Sequence, residues 1–543
     1  MTKFTDQELA LLRDFVSDPT GNVFAILPRM PGMVGAAFAR YSRAHGGFRE
    51  TLLREFIQGG QLNPQHADEL IQRILIAYGD DSVQELESAW LALESISNIA
   101  TKAIEDRRLG AYIEQSSRYV LYDERDEDGR FRYYREPAIM ASPALASRYT
   151  KVMDFVFETY CRLIEPMQEY FKRRKPLEIA EYEIRQGRGK IRHADCQDDV
   201  ERRDFERTWR FDIRTKTCDT LRILLPAATL TNVGMHANGR TFEHTLRRLY
   251  ASNLAELQVL AAEARRALNA VIPRYVQRAG REPYLTVTSK RMRELAVKLL
   301  GGIAPWKLGG APVVDLLPPG YSRIHQIALM LFPYAEHHMR QLADIVSHLP
   351  AEMQQRIEDT YLGERKSRRD RPGRALEYGS RWNVELTLDF GIYRDLHRHR
   401  MLTHERQLFT VRLGFCEIPE EIAEAGYADD VRACAERVAP LYEVIRAGLG
   451  PEIAQYPVLF GFNVRCFLGM NDREAQHLLE IRTSPQGHRS YRRVCQEIAK
   501  KMALHTDPNW VERAFGFVDW NDYDWPRADS EARQRAKEAK LPT

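Results

Sequence analysis

The segment that decides the fold is DLHRHRMLTHERQ, residues 395–407, in which Arg398, His399 and Arg400 stand side by side. Three adjacent basic side chains repel one another unless an anionic group lies close to them. Composition alone leaves two interpretations, a solvated basic turn or a site for a phosphate or an electron-rich ring. The segments that surround this turn in the chain bear on the choice.

A related segment lies 292 residues earlier (377 − 85), and a second match has a shift of 233 residues (471 − 238). The matched positions carry the same uncommon residue types and are Glu85 with Glu377, Trp90 with Trp382, Arg108 with Arg400, Gln115 with Gln407, Asn238 with Asn471, Arg240 with Arg473, and His244 with His477. Such self-similarity indicates an internal duplication. We predict two repeats, residues 1–300 and 301–543, with a charged insertion in the first at about 165–215.

Helical periodicity dominates the chain and predicts a helix-rich α+β fold, with long helices around a small sheet in each repeat. The segments that place apolar residues three and four apart are 66–78, 87–106, 241–268 and 324–346. Strand-like runs such as LRILLPA and TLDFGIY are short and few. We therefore expect each repeat to begin its basic turn from a long helix.

The first repeat has EDRRLGAYIEQSSRY (105–119) where the second has its basic turn. Asp106 breaks the cationic trio, and Glu114, Gln115, Ser116, Ser117 and Arg118 follow. Hydroxyls, backbone N–H groups and one guanidinium are the components of a monophosphate pocket, although such a pentapeptide is also typical of a helix cap or surface turn.

Two further motifs carry polar groups that suit a ligand. Arg222 precedes the apolar run ILLP and predicts either a carboxylate partner or a substrate phosphate. Asn471, Arg473, His477 and Arg482 share one stripe of a predicted helix, which is either a capped surface helix or a set of donors for a large, acceptor-rich ligand.

In combination, these motifs resemble those of the flavin-dependent thymidylate synthases (ThyX-like family), in a branch with two tandem repeats. The family signature is R-H-R, seven further residues and then Ser. Here the signature is divided, because Arg398, His399 and Arg400 stand in the second repeat, while Ser116 follows Arg108 in the first. The resemblance covers residues 20–500, approximately.

The resemblance implies a role for each motif residue. The residues that would hold FAD are Glu377, Arg398, His399, Arg400, Asn471, Arg473 and His477, with Glu85, Asn238, Arg240 and His244 as weaker counterparts. The residues that would hold the nucleotide are Glu114, Gln115, Ser116, Ser117, Arg118, Arg222 and Arg482. The second repeat has Arg406, Leu408 and Thr410 in place of the loop's Glu, Ser and Arg, so we expect composite sites that draw on both repeats.

The family transfers a methylene group from a reduced folate, and a hydride from reduced flavin, to deoxyuridylate. The resemblance thus implies thymidylate synthase-like methylation of dUMP or a related pyrimidine nucleotide, with FAD as cofactor and with NADPH and methylenetetrahydrofolate as candidate cosubstrates. No residue is assigned as a nucleophile. Two alternatives stay open: a degenerate, noncatalytic flavin or nucleotide binder, and a flavin enzyme that modifies RNA or another nucleoside, to which the basic run 365–374 would be suited.

The overall composition limits the partners. With 79 Lys and Arg against 76 Asp and Glu, the net charge is only +3, so bulk nucleic-acid binding is not expected. The seven cysteines are scattered and nowhere in CxxC spacing, and no metal site is expected. The start of the chain lacks the pattern of a signal peptide, and we expect a cytoplasmic protein without membrane contact. We also expect a homodimer that forms a pseudo-tetramer.

Overall fold

The computed structural model describes residues 4–30, 32–41, 47–58, 61–73, 81–185, 189–281, 283–306 and 313–525. The chain divides into two compact units. Unit 1 comprises Met1–Glu94, Ala103–Glu114 and Asn232–Pro283. Unit 2 comprises Ser95–Lys102, Gln115–Thr231 and Tyr284–Thr543, so it combines segments of both predicted repeats. The repeat boundaries themselves stay a prediction.

The helices dominate the structure. The α-helices are α1 Asp6–Leu12, α2 Val34–Tyr41, α3 Phe48–Thr51, α4 Pro64–Gln72, α5 Asn98–Ile104, α6 Pro137–Met140, α7 Pro143–Arg174, α8 Asp199–Leu221, α9 Gly239–Tyr250, α10 Ala255–Asn269, α11 Pro283–Leu300, α12 Arg323–Leu331, α13 Met339–His348, α14 Ala351–Leu362, α15 Phe390–Leu396, α16 Glu420–Glu424, α17 Ala428–Leu449, α18 Pro451–Ala454, α19 Asp472–Thr483, α20 Arg489–Leu504 and α21 Pro508–Ala514. No helix in the described ranges is long and apolar enough to span a membrane.

The shorter helical turns are of two kinds. One π-helical turn covers Leu52–Phe56, and the 3-10 turns are Asp81–Leu86, His193–Asp195, Arg222–Leu224, Pro273–Tyr275, Phe332–Tyr334 and Arg374–Glu377. The turn that begins at Arg222 continues directly from α8. It therefore fixes the start of the ILLP run.

The strands form small sheets. They are β1 Ile57–Gln58, β2 Gln61–Leu62, β3 Ser88–Ser97, β4 Ala111–Glu114, β5 Glu181–Tyr182, β6 Ile191–Arg192, β7 Leu230–Asn238, β8 Val313–Leu317, β9 Trp382–Asp389, β10 Thr403–Arg406 and β11 Asn463–Met470. The two largest sheets have the orders β3-β7-β4 and β10-β11-β9-β8. Long helices and small antiparallel sheets confirm the predicted helix-rich α+β class.

The order of elements repeats along the chain at the two predicted shifts. Helices α5 and α15 are the same length and begin 292 residues apart (390 − 98), and strands β4 and β10 keep this shift (403 − 111). Helices α9 and α19 are also equal in length and begin 233 residues apart (472 − 239). In both sheets the last strand of the repeat lies between the first two. The predicted duplication is therefore visible in the fold.

The predicted helix over 87–106 is wrong in its first half, because residues 88–97 form strand β3. The backbone of Ser95 is left-handed (φ 55°), which interrupts the alternation of the strand. Leu93 and Ile96 are consequently both buried at a spacing of three, which imitates a helix. Only α5 is helical, so each repeat enters its turn from a strand and a short helix, not from a long helix.

The other predicted helices are present with interruptions. The 66–78 prediction holds to Gln72, and residues 74–78 lie outside the described residues. The 241–268 segment divides into α9 and α10, where the Ser252 hydroxyl accepts a hydrogen bond from the backbone N–H of Leu254 at 3.1 Å. The 324–346 segment divides into α12 and α13 because Pro333 cannot continue the helical hydrogen bonds.

Unit 1 has a buried polar network at its centre. The Gln84 amide donates to Glu243 at 2.6 Å and to the carbonyl of Tyr275 at 2.9 Å. Arg278 donates to both Glu243 (2.9 Å) and Gln84 (2.8 Å). This network ties the 3-10 turn at Asp81–Leu86 to α9 and to the segment after α10, so that unit 1 is held together by more than apolar contact.

Unit 2 is joined by backbone pairing between the two repeats. Ala227 donates to the carbonyl of Val458 (2.8 Å) and Phe460 to that of Leu225 (2.8 Å), and two further bonds join Ala228 to Tyr456 (2.9 Å) and Gly461 to Ile223 (2.9 Å). The shift of 233 (456 − 223) converts each of these pairs into another of the set. The pairing is therefore self-complementary, as at a local two-fold axis. Helices α7 and α17 pack together beside it.

The charged segment between α7 and α8 forms a small projection. The described part contains the β5–β6 hairpin and its own cluster of buried side chains, Ala180, Tyr182, Cys196 and Phe205. This segment lies within the predicted insertion.

We expect Phe460→Ala to lower the free energy of unfolding by about 3–5 kcal/mol, because the fully buried ring packs 5.0 Å from Phe390 at the pairing of the repeats. Phe517, which is 84% exposed, supplies the matched control, and its replacement by Ala should change stability by less than about 0.5 kcal/mol. Chemical denaturation followed by circular dichroism measures both. Equal losses in the two variants would contradict this account of the interface.

Candidate functional site

The polar loop after β4 is anchored by two buried residues, Ser117 and Arg118. The Ser117 hydroxyl accepts a hydrogen bond from Nη1 of Arg394 at 2.8 Å. The Arg118 guanidinium makes a two-pronged contact with Asp219, with both N–O distances 2.7 Å. Gln115 and Ser116 are half-buried beside them. The loop thus joins α8 of the first repeat to α15 of the second.

Tyr491 on α20 links this loop to the end of α19. Its hydroxyl accepts a hydrogen bond from Nη1 of Arg118 at 3.3 Å. The guanidinium carbons of Arg118 and Arg482 each lie 5.7 Å from the centre of the Tyr491 ring. The sequence motifs did not indicate Tyr491. Two of the predicted nucleotide-binding arginines therefore contact one aromatic side chain.

Arg222 is buried and makes the ion pair that its position suggested. Its Nη1 donates to Oδ2 of Asp395 at 3.1 Å. Its other terminal nitrogen, Nη2, is buried and has no hydrogen-bond acceptor among the described residues. A buried donor in this condition has a free-energy cost until an acceptor reaches it. Arg222 is therefore suited to bind an anion.

Asp395 is the centre of the charged group. Burial opposes its ionisation, but the positive charges of Arg222, Arg118, Arg398 and Arg482 hold the pKa of this carboxyl well below its usual range. The structure thus gathers arginines of both repeats around one carboxylate. Four of the arginines that the motifs singled out belong to this group, hereafter the arginine cluster.

The basic turn follows α15, with Arg398 exposed, His399 buried and Arg400 half-buried. Nε of Arg482 donates to Nε2 of His399 at 2.8 Å, so the proton of a neutral His399 is on Nδ1, which lies 3.3 Å from Glu474. Burial lowers the pKa of His399 despite Glu474. We therefore treat His399 as a neutral link between the turn and α19.

The remaining predicted flavin residues lie on or near α19. Asn471 caps the helix by accepting a hydrogen bond from the backbone N–H of Glu474 at 3.0 Å. Arg473 and His477 are exposed, and the His477 ring lies 5.3 Å from that of His399. Glu377 accepts a hydrogen bond from the Thr403 hydroxyl at 2.9 Å. The predicted polar stripe is thus helical and ends at the arginine cluster through Arg482.

The predicted residues of unit 1 have their own partners or places. Glu114 is the buried last residue of β4. Asn238 caps α9 as Asn471 caps α19, accepting from Thr241 at 2.9 Å. Arg240, the counterpart of Arg473, forms an ion pair with Glu85. This pairing distinguishes Arg240 from Arg473.

A cavity of about 480 Å³ lies beside the arginine cluster in unit 2. Arg118 and Arg222 line it together with Asp219, Asp389 and His488. Burial and the nearby Arg222 lower the pKa of His488 to about 3, so this side chain is neutral. Its Nδ1 accepts a hydrogen bond from the backbone N–H of Ser490 at 3.2 Å. The motifs indicated only the two arginines of this cavity.

Asp389 caps α15 and faces the same cavity. Its carboxylate accepts a hydrogen bond from the backbone N–H of Ile392 at 2.9 Å. Burial raises the pKa of Asp389 to about 6, and the positive charge of Arg222 limits this increase. Asp389 consequently gains or loses a proton near neutral pH.

The positions related by the duplication lack the arginine cluster. At shifts of 292 or 233, the counterparts are Thr410 for Arg118, Gln455 for Arg222, Asp106 for Arg398, Leu249 for Arg482 and Ala103 for Asp395. None of them is an arginine. A second site of the same chemistry is therefore not encoded at the related positions.

Fold and geometry define a duplicated, helix-rich α+β protein with an arginine-rich site for an anion. The sequence profile of the family described as thymidylate synthase complementing protein (Thy1) matches residues 30–274 and 339–506. The chain belongs to this family, which confirms the resemblance of the motifs. The match extends over both repeats.

Three relatives match over nearly their whole length. A UPF0159 protein of Chlamydia muridarum is 34% identical over 557 residues, which covers 98% of this chain and 99% of that protein. A UPF0159 protein of Chlamydia pneumoniae is 33% identical, covering 98% of both chains. A UPF0159 protein of Thermoplasma acidophilum is 30% identical, covering 93% of this chain and 98% of its own. These relatives share the double length.

Asp389→Asn tests the protonation of the cavity. The pKa of Asp389 is about 6 in the folded protein against 3.8 for the free side chain, so its contribution to stability is present below pH 4, approximately, and is lost as the pH rises through 6. Asn retains the helix cap but cannot ionise. We expect the stability of the wild type relative to this variant to fall by about 3 kcal/mol between pH 4 and pH 7.

Thermal and chemical denaturation at several pH values between 4 and 7 measure this difference. The control is Asp128→Asn, because the Asp128 side chain is 65% exposed and the difference should stay nearly constant with pH. Parallel pH profiles for the wild type and Asp389→Asn would contradict the assignment.

Proposed function

We propose that this protein is a FAD-dependent, thymidylate synthase-like enzyme that transfers one carbon reductively to dUMP or a related pyrimidine nucleotide. The observation that carries the proposal is the convergence of Arg118 and Arg222 of the first repeat with Arg398 and Arg482 of the second on Asp395. Membership of the Thy1 family supports the reaction class. The site is composite, and each chain has one.

The nucleotide phosphate fits the arginine cluster. Guanidinium groups bind phosphate oxygens in pairs, and the buried Nη2 of Arg222 supplies a donor without a protein acceptor among the described residues. The hydroxyls of Ser116 and Ser117, the Gln115 amide and Arg482 complete the set that we assign to the nucleotide. We assign Glu114 to a ribose hydroxyl. The chain's own task is to hold the phosphate and so orient the base.

The residues that would hold FAD are Glu377, Arg398, His399, Arg400, Asn471, Arg473 and His477. Arg473 is exposed, and no hydrogen bond or ion pair to another described residue holds its guanidinium, so it fits a diphosphate oxygen. Neutral His399 fixes Arg482 beside this surface. When bound, FAD would supply the hydride. We propose methylenetetrahydrofolate as the one-carbon donor and NADPH as the reductant.

The cavity does not require a cysteine nucleophile. Cys416 lines the cavity, and burial and the neighbouring Asp389 raise the pKa of its thiol well above the usual value. A thiol in this state is protonated and weakly nucleophilic near neutral pH. Orientation and charge stabilisation by the arginine cluster therefore fit the site better than covalent catalysis. A homodimer that forms a pseudo-tetramer is our proposal for the assembly.

The activity test uses purified full-length protein supplied with FAD. We expect a yellow protein that releases tritium from 5-tritiated dUMP when methylenetetrahydrofolate and NADPH are present. Arg222→Gln should lower kcat/KM by about a hundredfold, because the phosphate loses a charge-assisted contact. Arg368→Gln, in the exposed basic run, is the control and should leave the activity unchanged.

A protein that takes up no FAD would contradict the proposal. A yellow protein that binds dUMP without tritium release would instead identify the noncatalytic binder. Release of tritium that Arg222→Gln leaves intact would contradict the assigned site.

Arg473→Gln and Arg240→Gln form a matched pair for the flavin surface. We expect Arg473→Gln to weaken FAD binding by about tenfold, since a charge-assisted hydrogen bond to the cofactor is lost. Arg240→Gln should change it by less than about twofold, because Arg240 is paired with Glu85. Fluorescence titration with FAD measures both dissociation constants. Equal effects of the two substitutions would contradict the assignment of FAD to the second repeat.

A further inference from the structure

Asp395 has an unusual place for a carboxylate at a phosphate site. It is buried in the last turn of α15, and its Oδ2 pairs with Nη1 of Arg222 at 3.1 Å. The same Arg222 carries the buried Nη2 that lacks a protein acceptor in the described part of the chain. Asp395 therefore satisfies one side of a guanidinium whose other side is available to a ligand.

The other members of the arginine cluster are held by different groups. Asp219 and Tyr491 hold Arg118, and His399 holds Arg482. Arg398 is exposed. These contacts position the guanidinium groups, but only Asp219 and Asp395 offset their charge from within the group. Without Asp395 the positive charges would repel one another in a poorly solvated space.

The duplication provides independent support. The counterpart of Asp395 is Ala103, and the counterparts of Arg118, Arg222 and Arg482 are Thr410, Gln455 and Leu249. The carboxylate is thus absent from the repeat position that lacks the arginines. This joint occurrence fits a carboxylate whose role depends on the arginine cluster.

We propose that Asp395 is an internal counter-ion, a positioning residue that neutralises the arginine cluster before the substrate binds and competes with the substrate phosphate for Arg222. The inference rests on the proposed function, because it takes the anion to be the phosphate of a nucleotide. Asp395 stabilises the protein without ligand and weakens anion binding at the same time. A residue with only a structural role would support both stability and binding.

The test compares the wild type with Asp395→Asn and Asp395→Glu, using inorganic phosphate and dUMP as probes in isothermal titration. We expect Asp395→Asn to bind both probes about tenfold more tightly, because one negative charge near the phosphate is removed. In phosphate-free buffer the same variant should unfold at a lower temperature than the wild type. Asp395→Glu keeps the charge and should stay within about twofold of the wild-type affinities.

The outcomes separate this inference from the proposed function. Weaker binding of phosphate and dUMP by Asp395→Asn, with normal binding by the wild type, would overturn the counter-ion role alone. A wild type that binds neither probe would overturn both proposals. If Asp395→Asn folds only when phosphate is added, the external anion has replaced the internal one, as the proposal requires. If it is unfolded with and without phosphate, the proposal is wrong.

Discussion

The backbone pairing of residues 223–228 with residues 456–461 is the interaction on which the site depends. Arg222 immediately precedes the paired segment of the first repeat, and Phe390 at the start of α15 donates its backbone N–H to the carbonyl of Phe462, just after the paired segment of the second. The pairing therefore sets the distance between Arg222 and Asp395. Side chains from opposite halves of the chain meet because equivalent segments bind each other.

Electrostatics then limits what this place can contain. Guanidinium groups can be close together in a buried space only if carboxylates or a bound anion offset their charge. Asp219 and Asp395 offset part of it, while His399 and His488 are kept neutral by burial. This combination suits a phosphorylated substrate whose base occupies the adjoining cavity. It also accounts for the loss of the related positions, since arginines without their counter-ion would destabilise the fold.

The motifs and the duplication were readable from the sequence because charged and aromatic residues align at constant shifts. Strand β3 was not, because the left-handed Ser95 gives its buried residues a helical spacing. Tyr491, Asp219 and His488 were also missed. Their contacts join residues that are far apart in the chain, such as Arg118 and Tyr491, and no local pattern marks them. The roles of the predicted site residues stay predictions until binding is measured.

The central claim is that two unequal repeats build one composite site in each chain. The most direct test is the binding stoichiometry of dUMP, measured by isothermal titration of the FAD-loaded full-length protein. Our account predicts one dUMP per chain, because the positions related to the arginine cluster hold Thr410, Gln455 and Leu249. Two equivalents per chain would contradict it.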